Sequence, residues 1–125
     1  MKLTCRHLTG ATLITVAGEV DAVTSAELEA YLDLVRRRLD EHLILDVNEL
    51  SFLDSSGLAV LLAAAVLADA HGAGVHLVAP HPRVTRLLEI TGAHRAVSVH
   101  DDVERAIAVV RAIQDTDRAE PLDLA

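Results

Sequence analysis

Aromatic residues are almost missing from this chain, with one Phe, one Tyr and no Trp in 125 residues. Cysteine occurs once, at Cys5, and lysine once, at Lys2. Each scarcity excludes something. A single thiol closes no internal disulfide, which fits a reducing cytoplasm, and an isolated Cys is more often a small core hydrophobe than a nucleophile. So few aromatics leave no stacking platform for single-stranded nucleic acid. The 11 Lys and Arg against 19 Asp and Glu, a net charge of −8, leave no basic footprint for a duplex. The sequence therefore predicts no nucleic-acid partner, while its acidity is compatible with basic protein partners. Long apolar runs are missing too. The longest, residues 57–68, is too short to span a bilayer, and residues 1–7 lack the apolar stretch of a secretory signal. A cytoplasmic protein without membrane insertion is expected.

Several chemistries are absent in the same way. Neither a Gly-rich nucleotide loop nor a Gly-x-Gly-x-x-Gly fingerprint is present, so no nucleotide cofactor is expected. A hydrolase elbow wants Gly two residues on either side of its Ser, and Leu53 stands where the first would be for Ser55. His71 and His76 are five apart across a turn, which is not the spacing of a zinc helix, and with no second Cys no metal site is expected. A receiver domain phosphorylated on Asp would need a Lys late in the chain, where there is none.

What is there reads as one α/β domain. Residues 3–7 and 11–17 are strand-like runs separated by the turn signal Thr9-Gly10, a hairpin. Thr24 with Glu27 reads as a capping box, opening a helix that carries Leu28, Leu32, Val35 and Leu39, with Arg36, Arg37 and Arg38 near its dipole-negative end. A buried strand at 43–47 is followed by an Ala-rich helix at 58–70, a strand at 75–79, a helix through Val84, Leu87, Leu88 and Ile90 stopped by Gly92, and a short strand at 96–99. A last helix turns Val103, Ile107, Val110 and Ile113 to the core, so the domain spans 1–114 and residues 115–125 form a disordered tail. Continuous apolar strands alternating with helices imply a sheet covered by helices.

The densest chemical signal is Asp54-Ser55-Ser56-Gly57-Leu58, two hydroxyls where a loop becomes a helix. A hydroxyl there lies beside unpaired N–H groups and the positive end of the helix dipole, so it is either a cap or a well-placed phosphoacceptor. Glu19 and Asp21 follow the second strand. If that strand lies parallel beside 43–47, both loops leave the same edge of the sheet, and a phosphate on Ser55 would face acids and repel a fitted partner. The following helix has no charge from Ser55 to Ala68. Leu58, Leu61, Leu62 and Ala65 suffice for its inward stripe, leaving Ala59, Ala63, Val66 and Ala70 outward. That is either a docking face or simply good helix-forming alanine.

Gly18-Glu19-Val20-Asp21, Leu50-Ser51-Phe52-Leu53 running into Asp54-Ser55-Ser56-Gly57-Leu58, and Val84-Thr85-Arg86-Leu87-Leu88-Glu89-Ile90-Thr91-Gly92 together resemble STAS domains of the anti-sigma-factor antagonist type, over about residues 3–113. The resemblance implies a mixed sheet of four to five strands with helices packed against it, and a protein partner. In that family the unphosphorylated antagonist binds an anti-sigma factor that is also a serine kinase, freeing the sigma factor; phosphorylation ends the binding and a phosphatase restores it. Carried over, Ser55 is the phosphoacceptor and Ser56 the fallback, with Asp54, Asp21 and Glu19 as switch-site acids. Ser56, Gly57, Ala59, Ala63 and Val66 form the contact surface. The chain would be a substrate and regulator rather than an enzyme, and homodimerisation is left open. The competing expectation is a non-enzymatic STAS subunit docked constitutively on a transport ATPase or signalling scaffold, with Ser55 only a cap. A hydrolase using Ser55 is the third and weakest.

Overall fold

The structure, a computed structural model, describes residues 1–118. Strands β1 (Lys2–Leu8) and β2 (Ala11–Val20) form the expected hairpin, and Gly10 takes a φ of 75° in its turn, a conformation open to a residue without Cβ. Helix α1 (Ser25–Val35) crosses to β3 (His42–Asp46), which runs parallel to the first half of β2. Strand β4 (Leu50–Leu53) pairs parallel with the second half of β2, after a register shift at Gly18/Glu19. Then come α2 (Ser55–Asp69), β5 (Val75–Val78), α3 (Pro82–Thr91), a 3-10 turn at Ala93–Arg95, β6 (Ser98–His100) and α4 (Val103–Arg118). The sheet order is β1-β2-β3-β5-β6, with β4 attached to β2 beyond the end of β3.

Alternation along the strands divides the core. Ile14, Val16, Leu43, Leu45 and Leu77 face α1, α2 and α3, which bring Leu28, Leu32, Leu58, Leu61, Val84 and Leu88. Ile44 and Val78 point the other way, under Ala106 and Val110 of α4. The central strands are thus covered on both faces, which is why they read as continuous apolar runs.

The fold class is the expected one, with six strands in place of four to five. The addition is β4, whose ends are buried and whose middle, Ser51 and Phe52, is exposed, so it offers no apolar run to recognise. Several boundaries differ: β2 runs to Val20, so Glu19 lies in the strand and not in the loop after it, because β4 pairs with its second half. α1 stops at Val35, because Arg36 turns extended (ψ 115°) and Arg37 is drawn off to the carbonyls of Leu8 and Ala11 and the carboxylate of Glu41. Burial pushes the Glu41 carboxyl up, and hydrogen bonds from Arg37 and Thr12, with the Arg37 charge, more than reverse this, holding it below the usual range. The Arg triplet therefore lies past the helix and Leu39 is exposed. α2 begins at Ser55 rather than 58. α4 reaches Arg118, so residues 115–118 of the expected tail are helical, and 119–125 lie outside the described residues. Ile90, expected in the core, is 71% exposed, and Ile113 is exposed as well; Val84, Leu88, Ala106 and Val110 carry the packing of α3 and α4.

Candidate functional site

β2 and β4 end side by side, with Val20 opposite Leu53, and the Asp54 N–H donates to the Val20 carbonyl at 3.2 Å. Parallel neighbours release their loops at one edge, so Asp21 and Asp54 emerge together. β2 does lie parallel beside β3, as anticipated, but β4 delivers Asp54 to this edge.

Asp54 is the N-cap of α2. Its Oδ1 accepts from the N–H groups of Ser56 (2.9 Å) and Gly57 (3.2 Å) and from the Ser56 hydroxyl. Two of the open donors of the first helical turn are thereby satisfied. The Ser56 hydroxyl, then the Gly57 N–H, hold the Asp54 carboxyl below the usual carboxylate range. The adjacent serines are consequently unlike. Ser56 has its hydroxyl committed to Asp54. Ser55, the first residue of the helix, is exposed, and its hydroxyl makes no hydrogen bond to any described residue.

Asp21 closes its own loop. Its Oδ1 accepts the N–H groups of Val23 (2.9 Å) and Thr24 (3.0 Å), while Thr24 Oγ1 accepts the Asp21 N–H at 2.9 Å and donates to the Glu19 carbonyl at 3.0 Å. This corrects the expected capping box, since the Thr24 side chain gives no cap to α1 and the Ser25 N–H goes to the Asp21 carbonyl. Thr24 is the site residue whose role the sequence reading misassigned; an Asp followed three residues later by Thr is the turn signal that could have found it. The Thr24 N–H, then the Val23 N–H, hold the Asp21 carboxyl low, against a smaller opposing push from the charge of Asp54. Both acids are therefore ionised near neutral pH and within electrostatic reach of one another. Glu19 joins through its backbone; its exposed carboxylate makes no hydrogen bond to a described residue.

Gly57 is buried, and a Cβ there would stand 2.5 Å from Leu53 Cδ1 and 2.6 Å from Val20 Cγ1. Its bareness lets α2 start directly on the two strand ends, so it packs the site from within and offers no outward contact, a correction to its place in the expected surface. Ala59, Ala63 and Val66 do lie outward, Val66 at 67% exposure, while Leu58, Leu61 and Ala65 are buried and Leu62 partly so. The result is an apolar strip running away from Ser55.

One cluster gave no sequence signal. His42, His76 and His100 are joined across β3, β5 and β6, with His42 Nδ1 to His76 Nε2 and His76 Nδ1 to His100 Nε2 both at 3.0 Å. The strand register brings them together from distant positions. Among the described residues no group of three His, Cys, Asp or Glu is arranged to hold a metal ion, and no helix is long and apolar enough to cross a membrane.

Comparison with known proteins agrees in one direction. The model of the STAS domain family matches residues 2–106. The anti-sigma F factor antagonist of Paenibacillus polymyxa is 28% identical over 114 residues, 90% of this chain and 97% of that protein. The crystal structure of an anti-sigma factor antagonist from Mycobacterium paratuberculosis aligns with a TM-score of 0.77 at 26% identity, covering 88% of this chain and 93% of that one. SpoIIAA in its unphosphorylated form aligns at 0.74 and 22% identity, covering 89% and 97%, a likeness of fold.

Proposed function

The chain belongs to the STAS domain family, and on that premise we propose that it is an anti-sigma-factor antagonist switched by phosphorylation of Ser55. Unphosphorylated, it docks on an anti-sigma factor that is also a serine kinase, and so frees the sigma factor. The observation that carries the reading is the inequality of the two serines: Ser56 is tied to Asp54, and Ser55 is exposed with its hydroxyl open to an incoming phosphoryl group. Relatives named as antagonists support the general role.

The physics of the switch follows from the neighbours. A phosphate adds about −1.5 to −2 charges, and the N-terminus of α2 accepts negative charge through its dipole, so the domain stays folded. Asp54 and Asp21, both ionised, already face this rim. Phosphorylation takes the local charge to about −4, within a Debye length of about 8 Å, and a surface fitted to the uncharged Ser55 loses its contact. The docking face continues from Ser56 along Ala59, Ala63 and Val66. The chain supplies the acceptor oxygen, the kinase supplies the catalytic groups, and a phosphatase resets the switch in the cytoplasm.

The test is a pull-down from native lysate with Ser55→Ala and Ser55→Asp baits, read by mass spectrometry. A serine kinase of the anti-sigma type retained by the first bait and lost from the second is the expected result. The same ATPase or scaffold on both baits would mean constitutive docking and no switch.

A further inference from the structure

α1 and α2 lie side by side, and the seam between them opens to solvent as a groove of about 290 Å³. Its α1 wall carries Glu29 and Asp33, with Arg36 at the end, and its α2 wall carries Ala63, Ala64 and Leu67. Glu29, Asp33 and Arg36 recur at steps of four and three, and Ala63 and Ala64 each lie one turn from Leu67, so two stripes face each other across the seam. Small side chains on the α2 wall keep it low enough for another helix to approach closely. The α1 rim is acidic, as neither Glu29 nor Asp33, both exposed, is in a salt bridge with any described residue. The Arg36 guanidinium feels the charges of Asp33 and Glu41 but is short of hydrogen bonds: its Nε is buried without a partner, and its Nη2 reaches the Ala64 carbonyl only at 3.5 Å. The Nη1 group makes no hydrogen bond to a described residue and Nη2 only the long one, so this end of the side chain can take an acceptor brought from outside.

These features agree on one kind of occupant. An apolar ridge suits Ala63 and Leu67, basic side chains suit Glu29 and Asp33, and open carbonyls suit Arg36. A helix C-terminus has open carbonyls and carries the negative end of its dipole. The acidity of the whole chain, net −8, favours approach of a cationic segment.

We propose that the α1–α2 groove is a docking slot for a short, basic amphipathic helix of a partner protein, its apolar ridge over Ala63 and Leu67, its cations on Glu29 and Asp33, and its last carbonyls toward Arg36. The slot adjoins the strip of Ala59, Ala63 and Val66, so the inference rests on the docking reading above, but its test involves neither Ser55 nor a kinase. The full chain, labelled with 15N, is titrated with a Leu/Lys amphipathic peptide of about 18 residues, five helical turns, and with its Leu/Glu counterpart. The expected amide shifts centre on Glu29, Asp33, Arg36, Ala63 and Leu67, with the Lys peptide bound about tenfold or more tighter than the Glu peptide and weakened by salt. A Glu29→Lys/Asp33→Lys double variant should lose about tenfold in affinity, and Ala63→Glu should lose binding while keeping the dispersed spectrum of the fold. Shifts on another face, equal binding of the two peptides, unaltered binding by the double variant, or no saturable binding at millimolar peptide would each overturn the slot. If instead the Ser55→Asp bait still retains the kinase, the switch falls and the slot stands.

Discussion

Mild acid should loosen this fold through one buried side chain, His76. Its imidazole is held between His42 and His100 on the face beneath α4 and is pushed down to about 4, by burial first and then by the two neighbouring imidazoles. In the unfolded chain it returns to its ordinary value near 6.5. The folded value is the lower one, so unfolding is accompanied by proton uptake between these two values. The stability is whole above pH 6.5 and is lost as the pH falls toward 4. At 1.36 kcal/mol per unit, the fall from 6.5 to about 4 amounts to about 3 kcal/mol when complete and about 2 kcal/mol at pH 5. Either is a large share of a total typically about 5–15 kcal/mol. His100, lowered by burial against an opposing pull from Asp101, acts in the same direction. The carboxylates of Asp21, Asp54 and Glu41, all held low, give up their contributions only below about pH 5, so the interval from pH 7 to 5 isolates the histidines. Urea denaturation at the two pH values measures the difference, followed by far-UV circular dichroism because the chain has no Trp. His76→Gln should be less stable at pH 7, from disrupting the histidine chain, yet lose about 2 kcal/mol less on going to pH 5. Equal stability of the parent chain at both values, or an unchanged loss in His76→Gln, would refute the reasoning.

Gly57→Ala should destabilise by about 1–3 kcal/mol, since its methyl would press Leu53 Cδ1 and Val20 Cγ1, and a lowered urea midpoint is the readout. Ile44→Ala should cost about 2–5 kcal/mol, because Ile44 is fully buried beneath α4, again by urea. Ser55→Asp should leave stability within about 0.5 kcal/mol, the helix N-terminus offsetting the repulsion from Asp54, while abolishing retention of the kinase. Val66→Lys, at a site 67% exposed, should be equally mild in a thermal melt and should weaken partner docking in the pull-down.

Much of the architecture was legible in local pattern. The Thr9-Gly10 turn, the buried strands and the inward stripe of α2 follow from periodicities that tertiary contacts reinforce. The candidate site was legible because its carriers, Asp54 and Ser55, are adjacent in sequence. Most of what escaped depends on partners far along the chain, the Asp21 loop being a local exception. β4 is a strand only because the second half of β2 lies beside it. α1 ends where it does because Arg37 finds carbonyls of the hairpin, although Arg is a good helix former. The Asp21 loop is closed by Thr24 back-bonding rather than by the Glu27 that a capping box would use. The histidine chain joins three strands through register alone.

β4 is short, and among the described strands it pairs only with β2. Unzipping it breaks neither the pairing of β2 with β3 nor any ladder beyond. The segment that ends at Ser55 is thus a short hem of the sheet, held by one ladder and by the buried Leu50 and Leu53, and local opening there is less costly than global unfolding. For the kinase proposed above, only this hem and the first turn of α2 would have to give way as Ser55 enters its cleft, and the remaining ladders would stay closed.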